Sequence, residues 1–184
     1  AQRVQERRGL RVAQFRTRSD LRKLRPQLHE LYNNAIQGTN GNFPITEAEA
    51  KTMADQLLWF ADPKLIKIIM KEDRPVGFLF AYPDISEALQ RTKGRLFPLG
   101  WLDILITLRT TKLININGAG MIEEYRGSGG TAILFSELRK SGQNSRYTRA
   151  EIVQVGTDNE RMLRDLSSLG ITFHKKHRMY SRLL

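Results

Sequence analysis

Cysteine is absent from the 184-residue chain, which excludes disulfides, thiolate metal sites and cysteine nucleophiles. Long apolar runs are also missing, since none approaches the roughly 18 residues of a membrane-spanning helix. The basic N-terminal residues are not followed by the apolar segment of a signal peptide. Of only three histidines, His174 and His177 would lie on opposite faces of a strand with no third ligand near. We therefore expect no metal site, no membrane partner and a cytoplasmic protein.

Acidic residues are few relative to basic ones: 19 stand against 30, and the net charge is +11. Residues 1–25 hold nine basic residues and only two acidic ones. Such a cluster is suited to phosphate contacts on nucleic acid. Phe15 is the one aromatic residue there, so a base-stacking platform is missing. We favour a basic linker or N-terminal extension over residues 1–18, with nucleic-acid binding as the alternative.

Apolar periodicity predicts the element order β-α-α-β-β, an insertion over residues 85–110, and then β-α-β-α-β. The predicted strands are residues 10–15, 64–70, 75–82, 113–122, 149–155 and the terminal segment 171–184. The predicted helices are residues 21–35, 47–60, 131–140 and one that ends at Leu169, with capping boxes at Thr46 and Thr157. This order indicates one α/β domain over residues 19–184, of the α+β layer type. Its mixed, mostly antiparallel sheet includes strand 10–15 and is flanked by helices.

A glycine-rich stretch, MIEEYRGSGGTA at residues 121–132, lies between an apolar strand and a helix. Successive backbone N–H groups and the positive end of the helix dipole would form an anion site there, and a diphosphate is its natural occupant. The spacing from Gly127 to Ala132 also satisfies the dinucleotide fingerprint G-x-G-x-x-A. Only 52 residues follow Ala132, too few for a Rossmann sheet. The glycines lack the following lysine of a Walker motif.

The segment Arg126-Gly127-x-Gly129-x-Thr131 resembles the R-G-x-G-x-[AG] loop of the GNAT acetyltransferase superfamily. Glu124-Tyr125 resembles the lead-in to that loop, and Pro75-Val76-Gly77-Phe78 resembles the family's third strand. Asn159 and Leu169-Gly170-Ile171 resemble the two ends of its second motif. The resemblance implies the GNAT fold and an acetyltransferase that moves an acetyl group from acetyl-coenzyme A to an amine.

A narrower resemblance is to the C-terminal half of bacterial proteins with two tandem GNAT-like halves. It rests on Leu31-Tyr32-Asn33, the glycine-rich loop before Pro44, Pro83-Asp84, residues 94–100 and residues 175–180. It implies that residues 1–18 link the halves, and that a GNAT-like half or a second copy of the chain is the partner. The first residue is Ala1, so the chain is expected to be a fragment or a processed product.

The family resemblance places coenzyme A between strands 113–122 and 149–155, where Gly118 and Gly120 are suited to a bulge or a close backbone approach. Coenzyme A serves as a substrate in this scheme, and the amine acceptor is left open. The implied cofactor-binding residues are Met121, Ile122, Arg126, Gly127, Ser128, Gly129, Gly130, Thr131 and Asn159. Asn115 and Asn117 alternate with isoleucines, so they should share one strand face.

The catalytic residues are not identified by the sequence. Glu123 and Glu151 are candidate bases for the amine, because a carboxylate can take its proton. The usual tyrosine seven residues after Asn159 is replaced by Leu166, which cannot donate a proton. Tyr180 is a candidate replacement. The alternative hypothesis is a non-catalytic GNAT-fold module that binds acyl-coenzyme A, a partner domain or nucleic acid.

Overall fold

A five-stranded sheet forms the centre of the computed structural model, which describes residues 2–37, 43–143, 145–178, 180 and 182. The strands are β1 (Leu10–Val12), β2 (Ile66–Lys71), β3 (Arg74–Pro83), β4 (Leu113–Met121) and β5 (Arg149–Ile152). They lie in chain order across the sheet. Neighbours from β1 to β4 are antiparallel, whereas β4 and β5 are parallel. The predicted mixed, mostly antiparallel sheet is therefore confirmed.

Helices cover this sheet at both faces. They are α1 (Gln2–Arg8), α2 (Arg18–Lys23), α3 (Arg25–Ile36), α4 (Glu47–Phe60), α5 (Ser86–Arg91), α6 (Gly100–Thr110), α7 (Gly130–Gln143) and α8 (Glu160–Ser168). Helix α3 packs against β3 and β4, and α7 packs against β2, β3 and β4. The consecutive residues Ile68 and Ile69 are both fully buried. Since neighbouring strand residues point to opposite faces, both faces of the sheet contact helices.

The predicted helix over residues 21–35 is divided into α2 and α3, one predicted capping box is confirmed and the other is wrong. Pro26 stands in the first turn of α3, where its missing N–H costs nothing. Thr46 and Glu49 form the predicted capping box of α4. The cap of α8 is Asn159 rather than Thr157, since Oδ1 of Asn159 accepts a hydrogen bond from the N–H of Met162 at 3.1 Å. This bond joins Asn159 to the third residue after it, as an N-cap bond does. Helix α8 therefore begins later than the cap at Thr157 predicts.

The two ends of the chain differ from the predicted pattern. Residues 2–8 form α1, which contacts β1 and α7, so the segment interpreted as a linker contains a helix and the first strand of the sheet. The terminal strand of the predicted order is missing from the described part of residues 171–184. Residues 172–178 are exposed, and most of their side chains are basic. They can bury little apolar surface, which is too little to offset the conformational entropy lost when a strand becomes ordered.

The predicted insertion between β3 and β4 is present. It consists of two helices, α5 and α6, that pack against each other. The guanidinium of Arg91 donates to Asp103 at 2.8 Å and to the hydroxyl of Thr107 at 3.0 Å. Asp84, which precedes α5, accepts a hydrogen bond from the hydroxyl of Ser86 at 2.6 Å. These polar contacts join the helices to each other and to the end of β3.

A buried cation lies beneath α7. Lys67 of β2 is 6% exposed, and its Nζ donates to the Ser141 hydroxyl at 2.7 Å. Burial lowers the pKa of Lys67 below the ordinary lysine value, against the opposing charges of Glu137 and Asp62. The folded state therefore gives up this proton at a lower pH than the unfolded chain does.

We predict that the free energy of unfolding rises with pH as Lys67 loses its proton. Between the lowered pKa of the folded state and the ordinary value of 10.5, the unfolded chain binds more protons, so stability increases with pH. Lys67→Met should flatten this rise, whereas the exposed Lys64→Met should retain it. Urea denaturation of the three proteins from pH 7 to pH 10 measures the slopes. Equal slopes for parent and Lys67→Met would contradict the prediction.

Candidate functional site

Strands β4 and β5, the last two strands in the order of the sheet, part about halfway along β4. They pair from Leu113 with Arg149 to Ile116 with Ile152, and the last backbone bond between them runs from the N–H of Val153 to the Ile116 carbonyl at 3.1 Å. Strand β4 continues to Met121 beside β3, whereas β5 ends at Ile152. Beyond Ile116, the β5-facing edge of β4 is therefore an open row of backbone donors and acceptors inside the molecule.

A β-bulge coincides with the point of parting. Phe80 pairs with Gly118 and Ala81 with Ile116, so that Asn117 has no counterpart on β3. The bulge interrupts the alternation that would place Asn115 and Asn117 on one face. The Asn115 amide donates to the buried carboxylate of Asp84 at 2.7 Å. Asn117 lines the adjoining cavity.

A cavity of about 560 Å³ opens at this parting, between α3, α4 and α8. The ring of Tyr32 stacks on Phe78 at 6.0 Å between centroids, and Phe78 stacks on Phe80 at 4.6 Å. These rings, with side chains such as Met53 and Met162, make most of its lining apolar. Asp158, near its mouth, is the one carboxylate in the described lining. The cavity is therefore suited to an apolar ligand that carries few positive charges.

One wall of the cavity is fixed by an asparagine on α3. The amide of Asn33 donates to the carbonyl of Ile45 at 2.9 Å, and its Oδ1 accepts from the N–H of the same residue at 2.9 Å. Nε2 of His29 also lies 2.8 Å from that carbonyl. These bonds hold Ile45 against α3, where it lines the cavity. The preceding glycine-rich loop, residues 38–42, lies outside the described residues.

The glycine-rich turn leads into α7 in the way that an anion site requires. Gly127 and Gly129 have φ angles of 75° and 84°, a left-handed conformation that glycine adopts without strain. Helix α7 begins at Gly130, so the N–H groups of Gly130 and Thr131 have no acceptor within the helix. A Cβ at Gly130 would lie 2.5 Å from Cε of Met121, so the Met121 side chain would have to move to accommodate it.

Three of the predicted backbone contacts are already used inside the protein. The N–H of Ile122 donates to Val76, that of Arg126 to Glu123, and that of Ser128 to Tyr125. The donors left at the turn are those of the glycines and Thr131. The assignment of a ligand to Met121, Ile122, Arg126 and Ser128 stays a prediction, with the free donors concentrated at residues 129–131.

The side chain of Arg126 has a structural role that sequence reasoning missed. Its Nε donates to the carbonyl of Met121 at 3.1 Å, and its Nη2 donates to the carbonyls of Ala35 at 3.0 Å and Gln37 at 2.6 Å. The guanidinium thus satisfies carbonyls at the end of α3 and joins that helix to the end of β4. It connects the cavity wall to the glycine-rich turn.

The candidate catalytic residues lie outside this cavity. Glu123 and Glu151 are exposed, and Tyr180 is 84% exposed. None of the three is part of the described lining, and a role for them stays a prediction. Asn159 and Leu166, by contrast, both line the cavity.

Tyr82 is a cavity residue that the sequence did not single out. It follows Phe80 on the same face of β3 and lines the cavity near Asn117. Burial raises the pKa of its hydroxyl, and the charge of Asp84 acts in the same direction, so the hydroxyl stays protonated at neutral pH. Its alternation with Phe78 and Phe80 along one strand was the signal that could have identified it.

Solved acetyltransferases share this fold. The chain aligns with a possible acetyltransferase of Clostridium difficile at a TM-score of 0.55 and 14% identity, over 95% of this chain and 97% of that one. An aminoglycoside N-acetyltransferase solved with coenzyme A aligns at a TM-score of 0.57 and 14% identity, over 94% of each chain. A protein of Pyrococcus horikoshii aligns at a TM-score of 0.60 and 16% identity, over 92% of each. The chain therefore has the GNAT-type acetyltransferase fold.

Two curated proteins are similar in sequence, and no family model matches the chain. Protein YghO of Escherichia coli is 28% identical over 161 residues, 84% of this chain and 41% of the relative. The bacterial ceramide synthase of Caulobacter vibrioides is 28% identical over 163 residues, 85% of this chain and 42% of the relative. The chain thus spans about two fifths of the length of these relatives.

We predict that Arg126→Ala lowers the free energy of unfolding by about 1–3 kcal/mol, because it removes charged hydrogen bonds to three carbonyls. Arg74→Ala is the matched control, since Arg74 makes only an exposed ion pair with Glu124 at 3.7 Å. Its loss should stay within about 0.5 kcal/mol. Urea denaturation measures both losses. Equal losses of stability in the two variants would contradict the structural role assigned to Arg126.

Proposed function

We propose that the chain binds an acyl-coenzyme A between the parted strands and transfers the acyl group to an amine. The observation that carries this proposal is the alignment of two features in one fold: an open edge on β4 beyond Ile116, and a glycine-rich turn at the start of α7. The first is suited to an extended chain with amide groups, and the second to a diphosphate. The solved aminoglycoside N-acetyltransferase with the same fold contains coenzyme A.

In this proposal the backbone does most of the binding. The pantetheine amides of coenzyme A add to the open edge of β4 as a further strand would. The N–H groups at residues 129–131 hold the diphosphate at the positive end of α7. The acyl group then lies at the bulge near Asn117, where the cavity begins.

Acyl transfer at this point needs little help from side chains. The amine nitrogen attacks the thioester carbonyl, a C–N bond forms, the C–S bond breaks and releases the thiolate, and water takes the proton that the amine nitrogen loses. A thiol with a pKa near that of free cysteine, about 8.5, leaves readily as the thiolate, so Leu166 does not prevent turnover. Many GNAT proteins have a tyrosine at the position of Leu166, which donates a proton to the departing thiolate. We propose that the protonated hydroxyl of Tyr82 donates a hydrogen bond to the thiolate in its place.

The acceptor we propose is an amine on an apolar chain. The described lining carries aromatic and aliphatic side chains and one carboxylate, Asp158. A polycationic aminoglycoside would need several carboxylates to compensate for the hydration that its charges lose on binding. An alkyl chain, by contrast, gains about 0.8 kcal/mol for each buried methylene. The relative from Caulobacter vibrioides is named a ceramide synthase, and a ceramide is the amide of a long-chain amino alcohol. This likeness supports the same class of acceptor.

We predict that catalytic efficiency rises with the length of the alkylamine. Release of the coenzyme A thiol, measured with butylamine, octylamine, a long-chain amino alcohol and sisomicin, should give kcat/KM at least about tenfold higher for the long chain than for butylamine, in line with the methylene term. Sisomicin should be poor. A preference for sisomicin would overturn the proposed acceptor but leave acyl transfer intact.

Two matched variants locate the acceptor. Met53→Glu puts a charge in the lining at a residue that is 48% exposed, and Leu169→Glu puts one outside it at 40% exposure. The first should lower kcat/KM for the long-chain amine at least about fivefold, and the second should leave it unchanged. Tight coenzyme A binding without any thiol release would instead support the non-catalytic module, which the buried Leu166 favours.

A further inference from the structure

The helical insertion has an apolar outer surface. Between Leu89 and Ile106, seven large apolar side chains are between 40% and 83% exposed. They are Leu89, Leu96, Phe97, Leu99, Trp101, Leu102 and Ile106. Five of them fall within residues 96–102, and such a concentration indicates an interaction surface, whereas scattered exposed apolar residues need no explanation. We call residues 93–102 the insertion tip.

One polar cluster joins the two helices of the insertion. Arg91 of α5 donates to Asp103 and Thr107 of α6, and Gly100 is buried against the Arg95 carbonyl and Thr92. A soluble helix pair usually buries its apolar faces and exposes its polar ones. Here the apolar side chains point away from the helix contact, so packing within the chain leaves this surface uncovered.

Cations surround the apolar surface. Lys93 and Arg95 are exposed within the tip, and Arg109 and Lys112 are exposed at the far end of α6. The two acids of the segment, Glu87 and Asp103, both pair with Arg91. Residues 92–102 contain no acid. The tip therefore has an excess of positive charge beside exposed rings, a combination complementary to an anionic lipid surface.

We propose that the insertion tip docks into the headgroup region of an anionic lipid bilayer, with Phe97 and Leu99 entering the boundary of the acyl chains. In the described part of the chain, no helix is long and apolar enough to cross a membrane. The expected absence of a membrane partner rested on such spans alone, and surface docking needs none. Trp101 is 47% exposed and its indole N–H donates to the Pro98 carbonyl, so its ring fits the interface.

A second copy of the chain fits the tip less well than lipid does. A symmetric contact through Phe97 would bring Lys93 and Arg95 of both copies together, and like charges at an interface oppose association. A bilayer with anionic headgroups pairs with those cations instead. The proposal rests on the insertion alone and does not depend on acyl transfer.

Flotation of the full chain with vesicles tests the proposal. We expect binding to vesicles of phosphatidylcholine with 30% phosphatidylglycerol, and at least tenfold weaker binding to phosphatidylcholine alone. Phe97→Ser with Leu99→Ser should weaken the binding at least tenfold, because the two side chains are 83% and 66% exposed and leave the core intact. Phe173→Ser, at another exposed ring, should have no effect.

A charge-reversed pair separates local docking from general attraction to a chain of charge +11. Lys93→Glu with Arg95→Glu should abolish most binding to the anionic vesicles. Arg7→Glu with Arg8→Glu, exposed in α1, changes the net charge equally and should retain most of it. Equal loss in both pairs, or unchanged binding of Phe97→Ser with Leu99→Ser, would overturn the proposal. So would a concentration-dependent dimer that the serine variant abolishes, in a parent that does not bind vesicles.

Discussion

The parting of β4 from β5 after Ile116 is the constraint on which the rest of the site depends. A strand edge inside a protein leaves backbone donors and acceptors that need a partner, and here the opposite edge of β4 stays paired with β3 as far as Met121. The bulge at Asn117, the cavity and the glycine-rich turn all lie along this edge. A ligand that adds an extended chain of amides satisfies it, which is why the fold is suited to a coenzyme A thioester.

Two hydrogen-bonded side chains keep the walls of the site in place. Asn33 holds Ile45 against α3 through both of its backbone groups, and Arg126 joins the end of α3 to the end of β4. Neither interaction touches the proposed reacting atoms. Together they connect the apolar cavity with the glycine-rich turn, where we propose that the diphosphate binds.

Sequence reasoning predicted most of the fold because apolar periodicity and caps are local signals. The hairpin of β2 and β3, the insertion and the strand-turn-helix at Gly130 follow from such signals. The bulge at Asn117 depends on how β4 pairs with β3, so the pattern placed it one residue away, at Gly118. The cap at Asn159 is local, but the capping-box pattern favoured Thr157, two residues earlier. The walls of the site were harder to predict. Tyr82 and the hydrogen bonds of Arg126 bring together residues that lie far apart in the chain, so no local pattern indicates these contacts. The terminal strand was wrong within the described residues, since alternation there is weak and the segment is basic.

The affinity of coenzyme A for two glycine variants tests the central claim most directly. Gly129 has a φ of 84°, which valine cannot adopt without strain, and its N–H is a proposed diphosphate donor. Gly142, near the other end of α7, has open space around an added Cβ and is the matched control. In calorimetric titration, Gly129→Val should lose at least about tenfold in affinity, or ~1.4 kcal/mol, while Gly142→Val binds as the parent does. Unchanged affinity in a folded Gly129→Val protein would contradict the account.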